Sequence, residues 1–497
     1  MTTPARLRSI VIVGGGSAGW IAAAALARLT PMGIGITVID SAVEEPPVQT
    51  VLPAHKVFHA LIGIDEHEML AAAHGTMRLG TTFDDQRVQG PNYHHAFGDF
   101  GLEIGGVEFY QVWLRARAAG RAIDLDNYNL AAIAATMGRF ARPTADKRAM
   151  MDYGYHLDTR RYTALLKIGA TGKNVACLVG DPAGAEIDRG NGAIAAIILR
   201  DGRRVEGDLF VDCSGASSVL AEQVPGTGFD DWNTLFPRDR AVSVDGAALA
   251  DLPPRTRASW RARGWWQQIP LQHCTHYGLA FASGMTEPQV ALAEVTASAG
   301  TPCGDPHFIT RRMGRRRRFW VRNLVALGSA AARIESIETS ELDWARIGIT
   351  ALLSLIPDRG AATAEADQFE RLMSAELEEC RDLALLHEVT MEGEPVLRIG
   401  GEKIALPDSL AHRIALFGGR GRLLPDAGPW RRSDWLAVML GRGIVPTSWD
   451  PLADDIEPVR AQQNFLRLAG LFRQSAETMP RHADYIAHHC PAVTRRP

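Results

Sequence analysis

Ser9-Ile10-Val11-Ile12-Val13-Gly14-Gly15-Gly16-Ser17-Ala18-Gly19-Trp20 is the stretch that decides the fold. A short β-rich run stops at glycines, and the alanine-rich segment Trp20–Leu29 reads as a helix. A second strand is expected over Ile34–Ile39, ending at Asp40. This strand–turn–helix–strand unit of about 30 residues is the βαβ pattern of a dinucleotide-binding sheet. Gly14 permits the tight turn, Gly16 lets a pyrophosphate approach the backbone, and Gly19 lets helix and strand pack closely. The helix N-terminus at Ser17 and Ala18 then turns its partial positive charge toward phosphates. Asp40 lies 21 residues beyond Gly19, where an acid accepts hydrogen bonds from a ribose. The motif alone does not separate FAD from NAD.

Outward from this unit, 497 residues set a prior of about three domains, or two larger ones. A composition of 46% hydrophobic and 22% charged residues excludes a mostly disordered chain and leaves room for a buried cofactor. A net charge of -4 makes nucleic acid a poor partner. The six cysteines, Cys177, Cys213, Cys274, Cys303, Cys380 and Cys490, form no CxxC pair. That argues against a disulfide scaffold or zinc ribbon and for a reducing cytoplasm. No run of about 20 apolar residues and no signal-peptide pattern is present, so neither membrane nor export is expected.

Residues 44–53 contain prolines and read as a loop, and 54–90 as mixed helix and loop. Aromatics and glycines alternate over 90–115, which suggests an irregular binding wall. Residues 159–170 read as helix. Three β-rich runs within 174–213 are able to return the chain to the first sheet. Residues 240–330 read as β-rich, and helical patterns follow at 344–356, 366–389 and 462–478. There is no internal repeat and no low-complexity linker, so the domains are expected to interleave.

Several segments resemble the flavin-dependent tryptophan halogenase family in matching order over nearly the whole chain. They are GGGSAGW at 14–20, PNYHHAFGDFGLEIGGVEFYQVWLR at 91–115, YGYHLD at 153–158 and DLFVDCSG at 208–215. GWWQQIPLQ at 264–272, RRRRFWVRNLVALG at 315–328, RIESIETSE at 333–341 and GRGIVP at 441–446 continue the likeness. The resemblance implies an α/β fold: a Rossmann-like FAD-binding domain of the flavin monooxygenase type, with interleaved mixed sheets and a mainly helical C-terminal region. Residues 1–340 would form the FAD-binding part, with substrate-wall segments at about 54–170 and 230–300. Residues 341–497 would complete the substrate pocket. Family members take reduced FAD from a separate flavin reductase and, with oxygen, oxidise halide to hypohalous acid. That acid passes through a tunnel to a lysine beside an aromatic substrate, where a glutamate assists the substitution. A homodimer is the family's expectation for assembly.

The family's residues carry over with four departures. Gly75-Thr76-Met77-Arg78 puts Arg78 where the family has its catalytic lysine. Arginine is a fixed donor that stays protonated and is a poor nucleophile, which disfavours a haloamine and leaves a hydrogen-bonding role. Glu338 matches the catalytic glutamate, and Ser340 with position 341 matches the halide site, where Glu341 replaces a small residue. A carboxylate about 4 Å from a halide costs about 4 kcal/mol at an effective dielectric of 20, roughly a thousandfold in affinity. Turned elsewhere, the same side chain costs almost nothing. Pro46-Pro47-Val48-Gln49-Thr50-Val51 replaces the glycine-containing loop that straps the flavin, with Gln49 at its glutamate position. Trp265 keeps the first tryptophan of the Trp-x-Trp-x-Ile-Pro signature, and Gln267 replaces the second. His95, Phe97 and Trp265 match the substrate pocket, and Gly328 matches a cofactor contact. Tyr155, His156 and Asp158 read as structural, Asp212-Cys213-Ser214-Gly215 as a close approach to the cofactor, and Arg315–Arg318 as a solvated face. No metal site is expected, the spacing of His488, His489 and Cys490 being poor.

Three functions remain open at this point. The first is a halogenase with atypical site residues, acting on a tryptophan- or indole-like small molecule or a peptide, with halide required. The second is an FAD-dependent monooxygenase on the same scaffold. The third is a catalytically degenerate flavin-binding paralogue acting with a partner.

Overall fold

Strand β1 (Ser9–Val13) is apolar on both faces because both faces are covered: Ile10, Val11, Ile12 and Val13 are fully buried. It lies between β2 (Gly35–Asp40) and the strand Leu209–Asp212, parallel to each, with helix α1 (Ser17–Leu29) crossing over the sheet. The computed structural model describes residues 6–30, 33–85, 92–144, 150–173, 175–358, 363–399, 401–426 and 428–493. The sheet has six strands, ordered Trp320–Val321, Leu324–Ala326, Leu209–Asp212, β1, β2 and Ala176–Val179. All its pairings are parallel except that of Trp320–Val321 with Leu324–Ala326. The fold is a mixed α/β architecture, as expected.

The loop expected over 44–53 contains β3 (Val48–Val51), and 54–90 contains more than helix and loop. Helices α2 (Ala54–Ile62) and α3 (Glu66–Ala72) precede strands β4 (Thr76–Arg78) and β5 (Gly80–Asp85). The aromatic wall opens with β6 (Tyr93–Ala96) and continues into helix α4 (Phe109–Ala118); Pro91 lies outside the described residues. β3 and β4 are buried along their whole length, so they lack the polar–apolar alternation that marks a strand. Both pair antiparallel with the strand Gly154–Asp158, giving a three-stranded sheet in which Gln49 faces Leu157 and Arg78 faces Gly154.

A seven-stranded sheet carries β5 and β6 at one edge, next to Thr256–Arg261, Gly264–Pro270, Thr275–Phe281, Arg240–Gly246 and His307–Thr310. Two runs within 174–213 return to the first sheet, Ala176–Val179 and Leu209–Asp212. The third, Ile194–Leu199, instead joins a separate sheet with Pro182–Ile187 and Arg204–Glu206. Helices Glu341–Ser354, Thr363–Leu386 and Pro458–Glu477 stand close to their expected places. A small antiparallel sheet, Val389–Met391, Pro395–Ile399 and Glu402–Ile404, interrupts that helical region unannounced by its periodicity. Among the described residues no helix is long and apolar enough to cross a membrane, and all six cysteines are free.

Candidate active site

The turn after β1 is built as its glycines require. Gly14 has φ +124°, and a Cβ there would stand 2.2 Å from the carbonyl oxygen of Cys213. A Cβ on Gly19 would meet the Gly14 carbonyl oxygen at 2.0 Å, so α1 crosses the strand as closely as glycine permits. Gly16 is the N-cap of α1 and has no side-chain cap, which leaves the first-turn N–H groups for another acceptor. The acceptor is Glu45: its carboxylate takes the Ser17 N–H at 2.8 Å and the Ser17 hydroxyl. Burial pushes the Glu45 carboxyl up to about 7, opposed by the Ser17 hydroxyl bond and assisted by the nearby Glu341. Asp40 closes β2, where its carboxylate accepts from Trp20 Nε1 at 3.3 Å and from Lys167 at 2.5 Å. Gly328 has φ +58°, and its Cβ position lies 3.1 Å from the Ala18 methyl. Gln49 is buried in β3, and its Nε2 has no hydrogen-bond partner among the described residues. First-turn donors of α1 that already hold a carboxylate, small residues beside them and an unspent buried donor on β3 suit a flavin dinucleotide, so these residues fit it.

A second centre forms around Glu338. Thr81 on β5 faces His95 on β6 across the ladder, so the two side chains share one face of the sheet. Arg78, at the end of β4, ion-pairs with Glu338 through Nη2, donates from Nη1 to the Glu338 carbonyl oxygen at 3.2 Å and reaches the Thr81 hydroxyl at 2.9 Å. Thr81 donates to Glu338 Oε2 at 3.1 Å. His95 Nδ1 bonds Glu338 Oε1 at 2.9 Å, and His95 Nε2 bonds Asp434 Oδ1 at 3.0 Å. Asp434 is held in turn by the Arg431 backbone N–H at 2.7 Å, at the start of the helix Arg432–Gly441. The Ser336 hydroxyl oxygen accepts from Glu338 N and Thr339 N, which sets the turn that presents Glu338.

All four ionisable groups are buried. Burial alone would raise the Glu338 carboxyl, but His95 and Arg78 hold it down at about 2. Burial alone would lower His95, but Glu338 and Asp434 lift it to about 10. The result is two cations against two anions. His387 is different: burial takes its ring down to about 3, so it stays neutral, stacked on Phe83 at 4.4 Å and bonded to the Tyr93 hydroxyl. His95, Glu338 and His387 bring ligand atoms within 4.8 Å of one another. Both ring nitrogens of His95 already face carboxylate oxygens, so the arrangement reads as a charge lattice. Arg78 retains one unspent group: its Nε is buried and has no hydrogen-bond partner among the described residues.

A cavity of about 620 Å³ adjoins this lattice, with Phe97, Tyr153, Tyr155, Trp430, Lys56 and Asp434 in its walls. Phe97 links the two, since the Arg78 guanidinium stands 5.1 Å from its ring centre. His95 is buried behind that wall. Trp265 does not line this cavity; it packs with Phe83, Ala258 and Ile337, and its Nε1 donates to Glu388. Ser340 caps the helix Glu341–Ser354 in a reciprocal box with Asp343, and Glu341, its first residue, ion-pairs with Arg333. Arg316 departs from the solvated face expected for 315–318: it is buried and paired with Glu222. Tyr155 bonds Glu66, His156 bridges Thr76 and Thr256, and Asp158 caps the helix Thr159–Thr171, as a structural landmark should. Sequence reasoning missed Thr81, Asp434, Trp430 and Glu45. Nothing local in the sequence marks any of the four, since β5, which carries Thr81, shows no polar–apolar alternation.

The family model for tryptophan halogenase matches residues 9–458. Among curated relatives, tryptophan 7-halogenase KtzQ of Kutzneria sp. (strain 744) is 27% identical over 89% of this chain and 90% of its own. Among solved structures, Xcc4156, a flavin-dependent halogenase from Xanthomonas campestris, is 32% identical with a TM-score of 0.93, covering 99% of this chain and 100% of that one. BrvH, a flavin-dependent halogenase from Brevundimonas sp. BAL3, is 31% identical with a TM-score of 0.90, covering 98% and 100%. A motif-built flavin turn, a buried glutamate beside an aromatic cavity and a match along nearly the whole length lead to one conclusion: the chain belongs to the tryptophan halogenase family of flavin-dependent enzymes.

Proposed function

We propose that this protein halogenates an aromatic, indole-type substrate, with Arg78 serving where the family has an amine. The observation that supports it most is Arg78 itself: it pairs with Glu338 yet keeps a buried Nε–H unspent. In this reading FAD lies along Gly14, Gly16, Ser17, Ala18, Gly19, Asp40, Gln49 and Gly328, and a separate flavin reductase delivers it reduced. When bound, reduced FAD supplies the electrons with which oxygen turns halide into hypohalous acid. Residues 1–340 carry the flavin part, and 341–497 complete the pocket. The halide rests near Ser340 and Glu341, whose charge Arg333 already matches.

The chain's own groups have definite tasks. Arg78 orients the hypohalous oxygen by donating a hydrogen bond, and its guanidinium does not form a haloamine because it stays protonated. Glu338, an anion held at about 2, faces the positive charge that develops on the ring as halogen adds. A carboxylate so depressed accepts the departing ring proton only because a substituted arenium is a far stronger acid. His95 keeps Glu338 ionised and in place.

The test mixes purified protein with chemically reduced FAD, oxygen and bromide, and reads products from indole, a phenol and tryptophan by mass spectrometry. Brominated product that requires bromide is expected. Oxygenated product indifferent to bromide would establish the monooxygenase reading instead. Flavin reoxidation as fast as in buffer, with no product, would overturn both catalytic readings.

A further inference from the structure

Glu45 stands in the loop between β2 and β3, and its carboxylate takes both donors of Ser17. A Cβ on Gly16 would lie 2.8 Å from the carboxyl carbon and from one oxygen of Glu45. The carboxylate therefore fills the space that the missing Gly16 side chain leaves, which is the space the motif opens to a pyrophosphate. The loop just beyond it is anchored: the Pro46 carbonyl accepts the Thr159 hydroxyl at 2.6 Å, and the Pro47 carbonyl accepts the Thr159 N–H at 2.9 Å. Consecutive prolines limit φ there as well. Glu45 thus leaves α1 by rotating its side chain or by a shift of residues 41–45, while β3 stays in place.

We propose that Glu45 is an affinity-setting residue of the flavin site, an internal carboxyl group that holds the phosphate position on α1 until a cofactor phosphate displaces it. This rests on the flavin reading of the turn. A carboxylate and a phosphate cannot share the same N–H and hydroxyl, so the observed affinity is the intrinsic one reduced by the fraction of molecules in which Glu45 has moved away. Glu45 is suited to leaving. It is half-buried, Glu341 adds a like charge, and among the described residues its hydrogen bonds come from Ser17 alone.

Titration of FAD into the full chain, followed by quenching of flavin fluorescence, measures this directly. Glu45→Ala is expected to bind FAD at least about tenfold more tightly than the parent. Glu45→Gln keeps the shape without the charge and is expected to fall between the two. Riboflavin, which lacks the phosphates, gains nothing from either substitution. Thermal melts without flavin verify that the variants fold, and Glu45→Gln carries the test if the alanine variant does not. FAD affinity unchanged or weakened in both folded variants, or an equal gain for riboflavin, overturns the proposal. FAD binding by none of the three proteins overturns the flavin reading itself, and the proposal with it.

Discussion

The turn at α1 and the lattice at Glu338 each keep a carboxylate out of bulk water, and they do so by opposite means. Glu45 rests on the N–H and hydroxyl of one serine at a helix start, and burial drives it up to about 7. Glu338 lies deeper, between Arg78 and His95, and is driven down to about 2. The first is a carboxyl group that, as proposed, a better-placed phosphate replaces. The second is an anion that the fold cannot release without leaving two cations buried. The contrast suits the tasks proposed for them: a site that takes up a cofactor needs to open, while charge developing on a substrate needs a partner that does not reorganise.

The largest effect should therefore come from breaking the lattice. Glu338→Ala leaves Arg78 and His95 buried without their shared partner, which is expected to cost about 3–5 kcal/mol of stability. Urea melts of the two proteins measure it. A loss below about 1 kcal/mol would mean that water reaches the lattice and that it is no more fixed than the α1 turn.

The turn is breakable through its backbone rather than its charge. Gly14→Ala places a Cβ against the Cys213 carbonyl at φ +124°. About 1–3 kcal/mol of backbone strain is expected, with FAD binding lost beyond the loss of fold. Melting with and without FAD separates the two losses.

These two sites were not equally legible in the sequence. The turn is local: strand, glycines, helix and Asp40 fall within residues 9–40, and each residue's reason is visible beside its neighbours. The lattice joins residues 78, 95, 338 and 434, which meet only through strand register and the start of a distant helix. Resemblance to a family pointed to Arg78, His95 and Glu338, but nothing local marked Asp434 as the partner that holds His95. The short buried strands β3 and β4 were hidden for a related reason: covered on all sides, they show no alternation. Trp265 was expected in the substrate pocket; it packs with Phe83 and Ile337 on the sheet face that carries Thr81 and His95, outside the walls of the cavity.

Acidity offers a finer test of how firmly the lattice is held. His95 is raised from 6.5 to about 10, so its contribution to stability is complete below pH 6.5 and is lost as pH rises through about 10. Glu338 is depressed to about 2, so its contribution is present above pH 4.5 and is lost only as pH falls through about 2. Between pH 7 and 10 the wild type is expected to lose stability more steeply than His95→Gln, by up to about 1.4 kcal/mol per pH unit. Denaturant melts at four pH values compare the slopes. Equal slopes would show that His95 is neutral at pH 7.

The smallest effect is expected where the two regions meet. Glu341 begins the helix Glu341–Ser354, close enough to Glu45 to raise its pKa, and occupies the position at which a small residue was expected. Read from sequence, a carboxylate facing a halide threatened roughly a thousandfold loss of affinity. In the structure Arg333 takes that carboxylate, so its charge is matched before any anion arrives. Glu341→Gln should therefore change the bromide concentration needed for half-maximal product formation by less than about threefold, under ~0.7 kcal/mol. The measurement is a bromide titration of both proteins under the same flavin supply. A gain of two orders of magnitude would mean that Glu341 turns from Arg333 toward the halide. The α1 region would then be governed, like the lattice, by a charge aimed at its ligand.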